Sequence, residues 1–429
     1  VRGERVTRSI AVIGAGPAGL MAAEVLADAG TAVTVYERMP SPARKLLMAG
    51  RGGLNITHSE PLSAFLGRYA PHDALRQRIK DAVAAYPPET VVAWANGLGQ
   101  ATFVGSSGRV FPKSMKASPL LRAWLRRLDA QGVKLATGHD WSGWSADGRL
   151  RFTRSDGSEV LAQPDAILLA LGGASWPRLG STGSWLALLT ARGVETRPFS
   201  PSNCGIDIAW SEMLRVRFEG EPLKRIAVTA GEKTVRGEAL VTKRGLEGGA
   251  IYALSEPIRE MLSRGGPATI MLDLRPDLTL ADLSARLAAP RQKQSTSNFL
   301  RKAAGIAPVA IALLREAAGT GLPESPIALA GLIKGVTLPV TGLAGLERAI
   351  SSVGGIALEA VDDAFMLRAL PGVFVAGEML DWDAPTGGYL LQATLATAVA
   401  AARGLASWLD GSRSQTGKDM AAFKVLSPD

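Results

Sequence analysis

The stretch Ile10-Ala11-Val12-Ile13-Gly14-Ala15-Gly16-Pro17-Ala18-Gly19, read with Val33-Thr34-Val35-Tyr36-Glu37 downstream, decides the fold. An apolar run, a G-x-G-x-x-G turn, a helix pattern and a second strand follow one another, and an acid stands 23 residues after Gly14. Each part has a mechanical reason. Gly14 permits the tight turn, Gly16 lets a pyrophosphate approach the backbone, and Gly19 lets helix and strand pack closely. Pro17 and Ala18 open the helix, whose unpaired N–H groups and partial positive charge face the phosphates. Glu37 is placed to accept hydrogen bonds from an adenosine ribose, and Arg38 beside it joins the same candidate set. In a chain with 48 glycines the bare pattern means little. The strand before it, the helix after it and the acid at this distance make it a dinucleotide fingerprint.

A chain of 429 residues exceeds one ordinary core and predicts two or three domains. Its composition, 47% hydrophobic and 20% charged, is that of a globular protein. No apolar run reaches the roughly 18 residues needed to span a bilayer. The opening Val1-Arg2-Gly3-Glu4-Arg5 runs straight into the first strand, so a cytoplasmic protein without a membrane partner is expected. One cysteine, Cys204, excludes an internal disulfide and a C-x-x-C pair, and is expected to be an inert buried thiol. Three dispersed histidines, His58, His72 and His139, leave no Cys/His metal site.

Helix patterns recur at 74–86, 90–96 and 118–131, with a strand at 133–137. The dipeptides Asp147-Gly148 and Asp156-Gly157 separate three strands of a β-meander. Two continuous apolar runs, 166–171 and 372–376, read as buried strands ending in Gly172-Gly173 and Gly377-Glu378. The predicted organisation is a discontinuous nucleotide-binding domain, 1–196 with 357–410, carrying an insertion at 197–356. The insertion divides into a β-rich part (197–275), a helical part (277–334) and a return segment (335–356). A long apolar helix over 388–409 is followed by a loosely ordered polar tail, 411–429.

Four glycine-bearing loops, Gly14–Gly19, Gly50–Asn55, Gly172-Gly173 and Gly377-Glu378, are each expected to follow a strand. Loops gathered at the carboxyl edge of an open α/β sheet line a ligand, and four of them suit an extended FAD better than NAD. Lys45 and Arg51 are candidate pyrophosphate contacts, and Gly52, Gly53 and Asn55 candidate flavin-loop residues. Glu378 is a candidate acceptor for ribityl or ribose hydroxyls. Thr386-Gly387-Gly388-Tyr389 leads into the last helix, whose N-terminus would stabilise a reduced, anionic flavin. Tyr389 is the only candidate catalytic residue, as a stacking or proton-donating phenol, and a core aromatic is the equal alternative. No second G-x-G-x-x-G follows a strand, so NAD(P)H is expected as a transient reductant without a domain of its own.

The net charge of +9 admits an acidic partner. Between Ser284 and Arg315 no acid occurs, while Arg286, Arg291, Lys293, Arg301 and Lys302 do. This strip is either a polyanion-binding surface, RNA being the partner considered, or a solvated helical face.

Several motifs occur in order: Val12–Leu20, Lys45–Thr57, Phe111-Pro112-Lys113-Ser114, Leu171-Gly172-Gly173-Ala174-Ser175-Trp176-Pro177, Ala376–Asp381 and Pro385–Tyr389. Over nearly its whole length the chain resembles the BaiN-like family of FAD-dependent oxidoreductases, also called YhiN-like or aminoacetone-oxidase-type flavoproteins. The resemblance implies an α/β Rossmann-type FAD-binding domain with an inserted β-barrel-like segment and a helical segment. It also implies a bacterial cytoplasmic flavoprotein; some members are linked to C=C reduction and related ones to dihydrouridine formation in ribosomal RNA. Two departures point to a distinct subfamily. Gly53 and Leu54 stand where the family loop commonly carries Arg and Cys, and Lys243 stands where its insertion often carries His.

The expected function is therefore flavin hydride transfer to a C=C or C=N bond of an unidentified small acceptor, with NAD(P)H as reductant. A flavin-dependent RNA-modifying enzyme and a non-catalytic flavin redox sensor are the alternatives.

Overall fold

A computed structural model describes residues 8–49, 52–69, 77–319 and 321–424, with side chains described as far as Gly411. The chain divides into two compact units, Val1–Ser200 with Ser352–Asp429, and Pro201–Ser351. Each has its own hydrophobic core.

The first unit is built on five parallel strands: β1 (Ser9–Ile13), β2 (Ala32–Glu37), β3 (Lys134–Thr137), β4 (Ala166–Leu169) and β5 (Val373–Val375). Their order is β5-β4-β1-β2-β3. In register, Ile10 faces Ala166 on one side and Val33 on the other, and Leu168 faces Phe374. Parallel strands are covered on both faces, which explains why Val12, Ile13, Val35, Leu168 and Phe374 are all almost fully buried whichever way they point. Helix α1 (Pro17–Asp28) packs against the long C-terminal helix α3 (Tyr389–Lys424). Both are rich in buried alanine, Ala22 and Ala23 on one and Ala393, Ala396 and Ala398 on the other, and small side chains let helix axes approach. The segment added last in sequence is thereby fixed to the first.

One charged residue is buried in α1. Glu24 is 7% exposed. Its Oε2 accepts from the indole N–H groups of Trp124 (2.6 Å) and Trp94 (3.2 Å), and its Oε1 accepts from Arg127 (2.8 Å). Two three-stranded antiparallel sheets also belong to the unit. One joins Thr57–His58, Arg109–Pro112 and Thr102–Val104, and the other is the meander His139–Trp144, Leu150–Arg154 and Glu159–Ala162.

In the second unit a seven-stranded antiparallel sheet runs in the order 336–340, 268–273, 222–230, 233–241, 245–247, 206–207, 342–343. Its two edge strands are separated in sequence by Thr341 alone, whose N–H donates to Asp207 O. A sheet whose edges are one residue apart must coil back on itself, which makes it barrel-like. Four helices, 280–287, 296–303, 308–318 and 326–334, pack with it, and Thr279, Ser295 and Ser325 cap three of them with side-chain oxygens.

The structure corrects three expectations. The loop at 50–55 does not follow a strand: it follows helix α2 (Arg44–Ala49) and leads into Thr57–His58. Gly50 and Arg51 lie outside the described residues. The β-rich part of the insertion contains helices at Glu212–Arg217, capped by Ser211, and at Ser255–Ser263, which tolerates Pro257 in its first turn. Residues 411–424, read as a polar tail, continue α3 to Lys424. Extending an existing helix costs far less than nucleating one, so a weakly helical sequence can follow a strongly helical one. The helix expected over 74–86 is described from Gln77 to Ala85, residues 70–76 lying outside the described set.

Candidate functional site

The G-x-G-x-x-G turn separates three uses of glycine. A Cβ on Gly19 would overlap the carbonyl oxygen of Gly14, and one on Gly14, whose φ is +104°, would overlap the carbonyl of Ala170. Both are glycine because the chain itself leaves no room. Gly16 differs: its φ is −79° and an added Cβ would have nothing within 4 Å. No described residue demands glycine there. Gly16 is also the N-cap of α1, with no side-chain cap and no acid in the first turn. The first-turn N–H groups therefore retain their attraction for an anion, and Pro17 takes the position where a missing N–H does no harm.

Glu37 supports this turn. Its Oε2 accepts from Ala15 N–H and its Oε1 from Met39 N–H, each at 2.8 Å. Burial pushes its carboxyl above the usual value, and the two backbone donors oppose that. Each oxygen keeps a second lone pair for a ribose hydroxyl. Arg38 donates to Thr182 Oγ1 (3.0 Å) and lies 3.5 Å from Asp140.

The C-terminal turn meets the first one. A Cβ on Gly377 would lie 2.9 Å from Ala18 Cβ, and Gly377 N–H donates to Thr397 Oγ1 (3.0 Å). Beside it, Lys45 Nζ contacts Glu378 Oε2 (2.7 Å) and Ser175 Oγ (2.5 Å). Glu378 Oε1 accepts from Ser352 N–H (3.2 Å), and Ser352 Oγ accepts from Ala174 N–H (3.0 Å). A Cβ on Gly173 would overlap that same Ser352 oxygen, while Gly172 O accepts from the Trp185 indole (2.9 Å). Lys45, expected at a pyrophosphate, and Glu378, expected at a hydroxyl, are thus each other's partners and help tie together four segments of the chain.

Thr386-Gly387-Gly388 opens α3 against the antiparallel strand Thr57–His58. Gly388, with φ +100°, would place a Cβ 2.6 Å from Thr57 Cα, so only glycine allows this approach. Thr57 Oγ1 donates to Gln392 Oε1 (2.7 Å), which fastens the contact. Asn55 Nδ2 donates to the carbonyls of Thr57 (2.8 Å) and Val110 (3.0 Å). Two acceptors around one atom fix which end of the amide is nitrogen. They leave Asn55 Oδ1 as a buried acceptor without a partner among the described residues, a free atom of the kind a ligand N–H satisfies. Gly52 and Gly53 stand beside it in the chain, Gly52 exposed.

Tyr389 sits in an aromatic cluster and is 5% exposed. Its hydroxyl donates to Glu60 Oε1 (2.6 Å), and its ring stacks on His58 at 5.5 Å. Burial first, then the Glu60 hydrogen bond, push its pKa upward. Of the two open readings, the geometry supplies the core aromatic. Glu24, Glu60, Ser175, Ser352, Thr57 and Gln392 are the contributors that sequence reasoning missed. Ser175, inside the motif Gly172–Pro177, and Thr57, at the end of the motif Lys45–Thr57, carried a local signal.

FAD fits these residues: a bare helix N-terminus beside an unfilled Gly16, a buried orphan acceptor at Asn55, and two convergent turns joined through Ala18 and Gly377. Among the described residues no group of three or more His, Cys, Asp or Glu is placed to hold a metal. No single described helix is long and apolar enough to cross a membrane. In the second unit Arg286, Arg291, Lys293, Arg301 and Lys302 are all exposed, and none makes an ion pair among the described residues.

Fold and turn together define a Rossmann-type FAD-binding protein of the oxidoreductase class. The HI0933-like protein Rossmann domain matches residues 8–404, and the chain belongs to that family. It is 25% identical over 419 residues to the 3-dehydro-bile acid delta(4,6)-reductase of Clostridium scindens, covering 92% of this chain and 98% of the relative. It is 24% identical over 400 residues to the ribosomal RNA dihydrouridine synthase of Haemophilus influenzae, covering 91% and 96%. Among solved structures, the 3-ketosteroid delta1-dehydrogenase of Sterolibacterium denitrificans matches 94% of this chain and 100% of its own, with 12% identity and a TM-score of 0.48.

Proposed function

We propose that this protein is a reductase of activated C=C or C=N bonds in a small acceptor, with NAD(P)H as its electron source and the cytoplasm as its place of action. FAD, when bound, supplies the two-electron hydride transfer between the two substrates. The chain's own residues bind and orient. The first-turn N–H groups of α1 hold the pyrophosphate, with Gly16 admitting it to the backbone. Glu37 holds the turn and offers its remaining lone pairs to the ribose. Lys45 and Glu378 fix the loops of the carboxyl edge to one another. Asn55 Oδ1 takes a ring N–H, and the N-terminus of α3 behind Gly387-Gly388 favours negative charge on the ring.

The observation that carries this reading is Gly16, a glycine whose absent side chain serves no part of the protein. The names of the relatives add support for reduction of a C=C bond. The test is the absorption spectrum of the purified chain before and after anaerobic NAD(P)H. A flavin band that bleaches is expected; a colourless protein that refuses added FAD would sink the reading. A flavin that stays reduced with every acceptor offered would favour the redox-sensor alternative.

A second reading has its own support. The five exposed cations of the second unit, none in an ion pair among the described residues, suit a polyanion, and two relatives are named for ribosomal RNA. Here an RNA base is the acceptor. Binding of structured RNA should fall steeply with salt, and the pair Arg301→Glu and Lys302→Glu should weaken it. Binding untouched by both removes this reading.

A further inference from the structure

The three-stranded sheet of the first unit buries Thr57 and Val110 on one face, although Val104 at that face's outer end is 57% exposed. Thr57 and Val110 are directly paired, point the same way and are 0% and 3% exposed. Strand alternation turns their neighbours to the other face. There His58 pairs with Arg109, and Phe103 with Phe111. The two phenyl rings stack with centroids 5.8 Å apart and planes 28° from parallel. This face is not buried: Phe103 is 39% exposed, and Met115, in the following turn, 38%. An exposed ring and thioether, with Phe111 half-buried beside them, cost stability and call for an occupant.

The surroundings say what kind. No acid occurs between Glu89 and Asp129, a longer acid-free run than the one in the second unit. Arg109, Lys113 and Lys116 frame the rings, are exposed, and make no ion pair among the described residues. A flat ring on an anionic chain matches this chemistry. The patch also borders the candidate cofactor turns. A Cβ on Gly53 would lie 2.6 Å from Met115 Cε, and one on Gly387 would lie 3.7 Å from Arg109 Nε. A ligand lying here is therefore next to the flavin site, the position required of a redox partner. Two stacked rings and three cations suit one dinucleotide, whereas a nucleic-acid strand is tracked by a longer run of cations and rings.

We propose that the outward face of this sheet, Phe103 and Phe111 framed by Arg109, Lys113 and Lys116, is the docking platform for the nicotinamide dinucleotide that reduces the protein. The assignment rests on the FAD reading of the neighbouring turns. It also answers how a chain with a single G-x-G-x-x-G turn receives a second dinucleotide: on a stacking surface rather than in a second Rossmann fold.

Calorimetric titration of the full chain, with its flavin content read from the absorption band, tests this. The probes are NAD+ and NADP+, which bind without reacting, and a single-stranded RNA oligonucleotide. One of the two dinucleotides should bind. Phe103→Ala should weaken it about tenfold, as expected for loss of one stacked ring. The pair Lys113→Glu and Lys116→Glu should weaken it at least as much and flatten its salt dependence. All three positions are exposed, and circular dichroism confirms that the variants fold. Absence of binding by either dinucleotide, or wild-type affinity in both variants, overturns the proposal. Loss of RNA binding alone reassigns the surface to RNA and overturns it too. A flavin-containing protein that fails the titration loses only this inference. A chain that takes no flavin, yet binds the dinucleotide through these residues, loses the FAD reading and with it the role of reductant, and keeps only a dinucleotide-binding surface.

Discussion

The two glycine turns of the first unit look alike in sequence and are built for different things. At Gly387-Gly388 both glycines face protein: Tyr389 Cε2 would stand 3.1 Å from a Cβ on the first, and Thr57 2.6 Å from one on the second. At Gly14–Gly19 the outer two glycines face protein and the middle one faces nothing. One turn lets two segments of chain touch. The other does that and also leaves a place for something the chain does not contain. Glycine in a motif is thus two signals in one letter, and only the neighbour a side chain would meet tells them apart.

The largest effect should come from the glycines that face protein. Gly19→Ala and Gly388→Ala each drive a Cβ into backbone that cannot swing aside, and Gly388 adds an unfavourable φ. Each should cost about 4 kcal/mol or more, seen as a collapse in the urea midpoint or as loss of soluble protein. Next comes the node that binds α1 to the helices beside it. Glu24→Ala leaves two buried indole N–H groups and the Arg127 charge unanswered, and should cost about 3 kcal/mol. Near-normal stability in Glu24→Ala would mean that water replaces the carboxylate.

The contrast between these two cases measures what the sequence discloses. The β1 turn, the meander and the buried strands at 166–169 and 373–375 were legible because a strand period, a turn dipeptide or a glycine spacing is written in neighbouring residues. Glu24 was not: its partners lie 70, 100 and 103 positions away. Lys45 and Glu378, 333 residues apart, were each noticed and each given to the ligand, because nothing local says that they find one another. Asn55 was chosen as an amide for a flavin or phosphate contact; its nitrogen is committed to Thr57 and Val110, and only its oxygen is without a partner among the described residues. Helix α3 beyond Gly411 was missed for the opposite reason, since continuation depends on the preceding turns more than on the residues themselves.

Gly16→Ala sharpens the comparison from its other side. With φ at −79° and open space around the new methyl, stability should change by no more than about 0.5 kcal/mol, since alanine even restricts the unfolded chain. FAD affinity should fall about tenfold or more, because the methyl occupies the approach of the pyrophosphate. Unfolding curves and FAD titration on the same sample separate the two. A variant that binds FAD as well as wild type would remove the pyrophosphate role from Gly16.

The smallest effect is a titration at the foot of the second turn. Glu60 accepts a two-pronged pair of hydrogen bonds from Arg68, at 3.0 and 2.6 Å, and one from Tyr389. The Arg68 hydrogen bonds, helped by Tyr389 and the Arg68 charge against the opposing cost of burial, hold its carboxyl below the usual glutamate value of 4.5. In the unfolded chain Glu60 regains that ordinary value, so between the two pKa values the unfolded state binds more protons and stability rises with pH. The contribution is complete above about pH 4.5 and is lost as pH falls through the lowered value. Arg68 is half exposed, so screening keeps the total near 1 kcal/mol. Glu60→Gln should therefore unfold more easily than wild type at pH 7 by about 1 kcal/mol, with the gap narrowing below pH 4.5. A gap that stays constant down to pH 3 would show that Glu60 holds Tyr389, and with it the Gly387-Gly388 turn, by shape and hydrogen bonding rather than by charge.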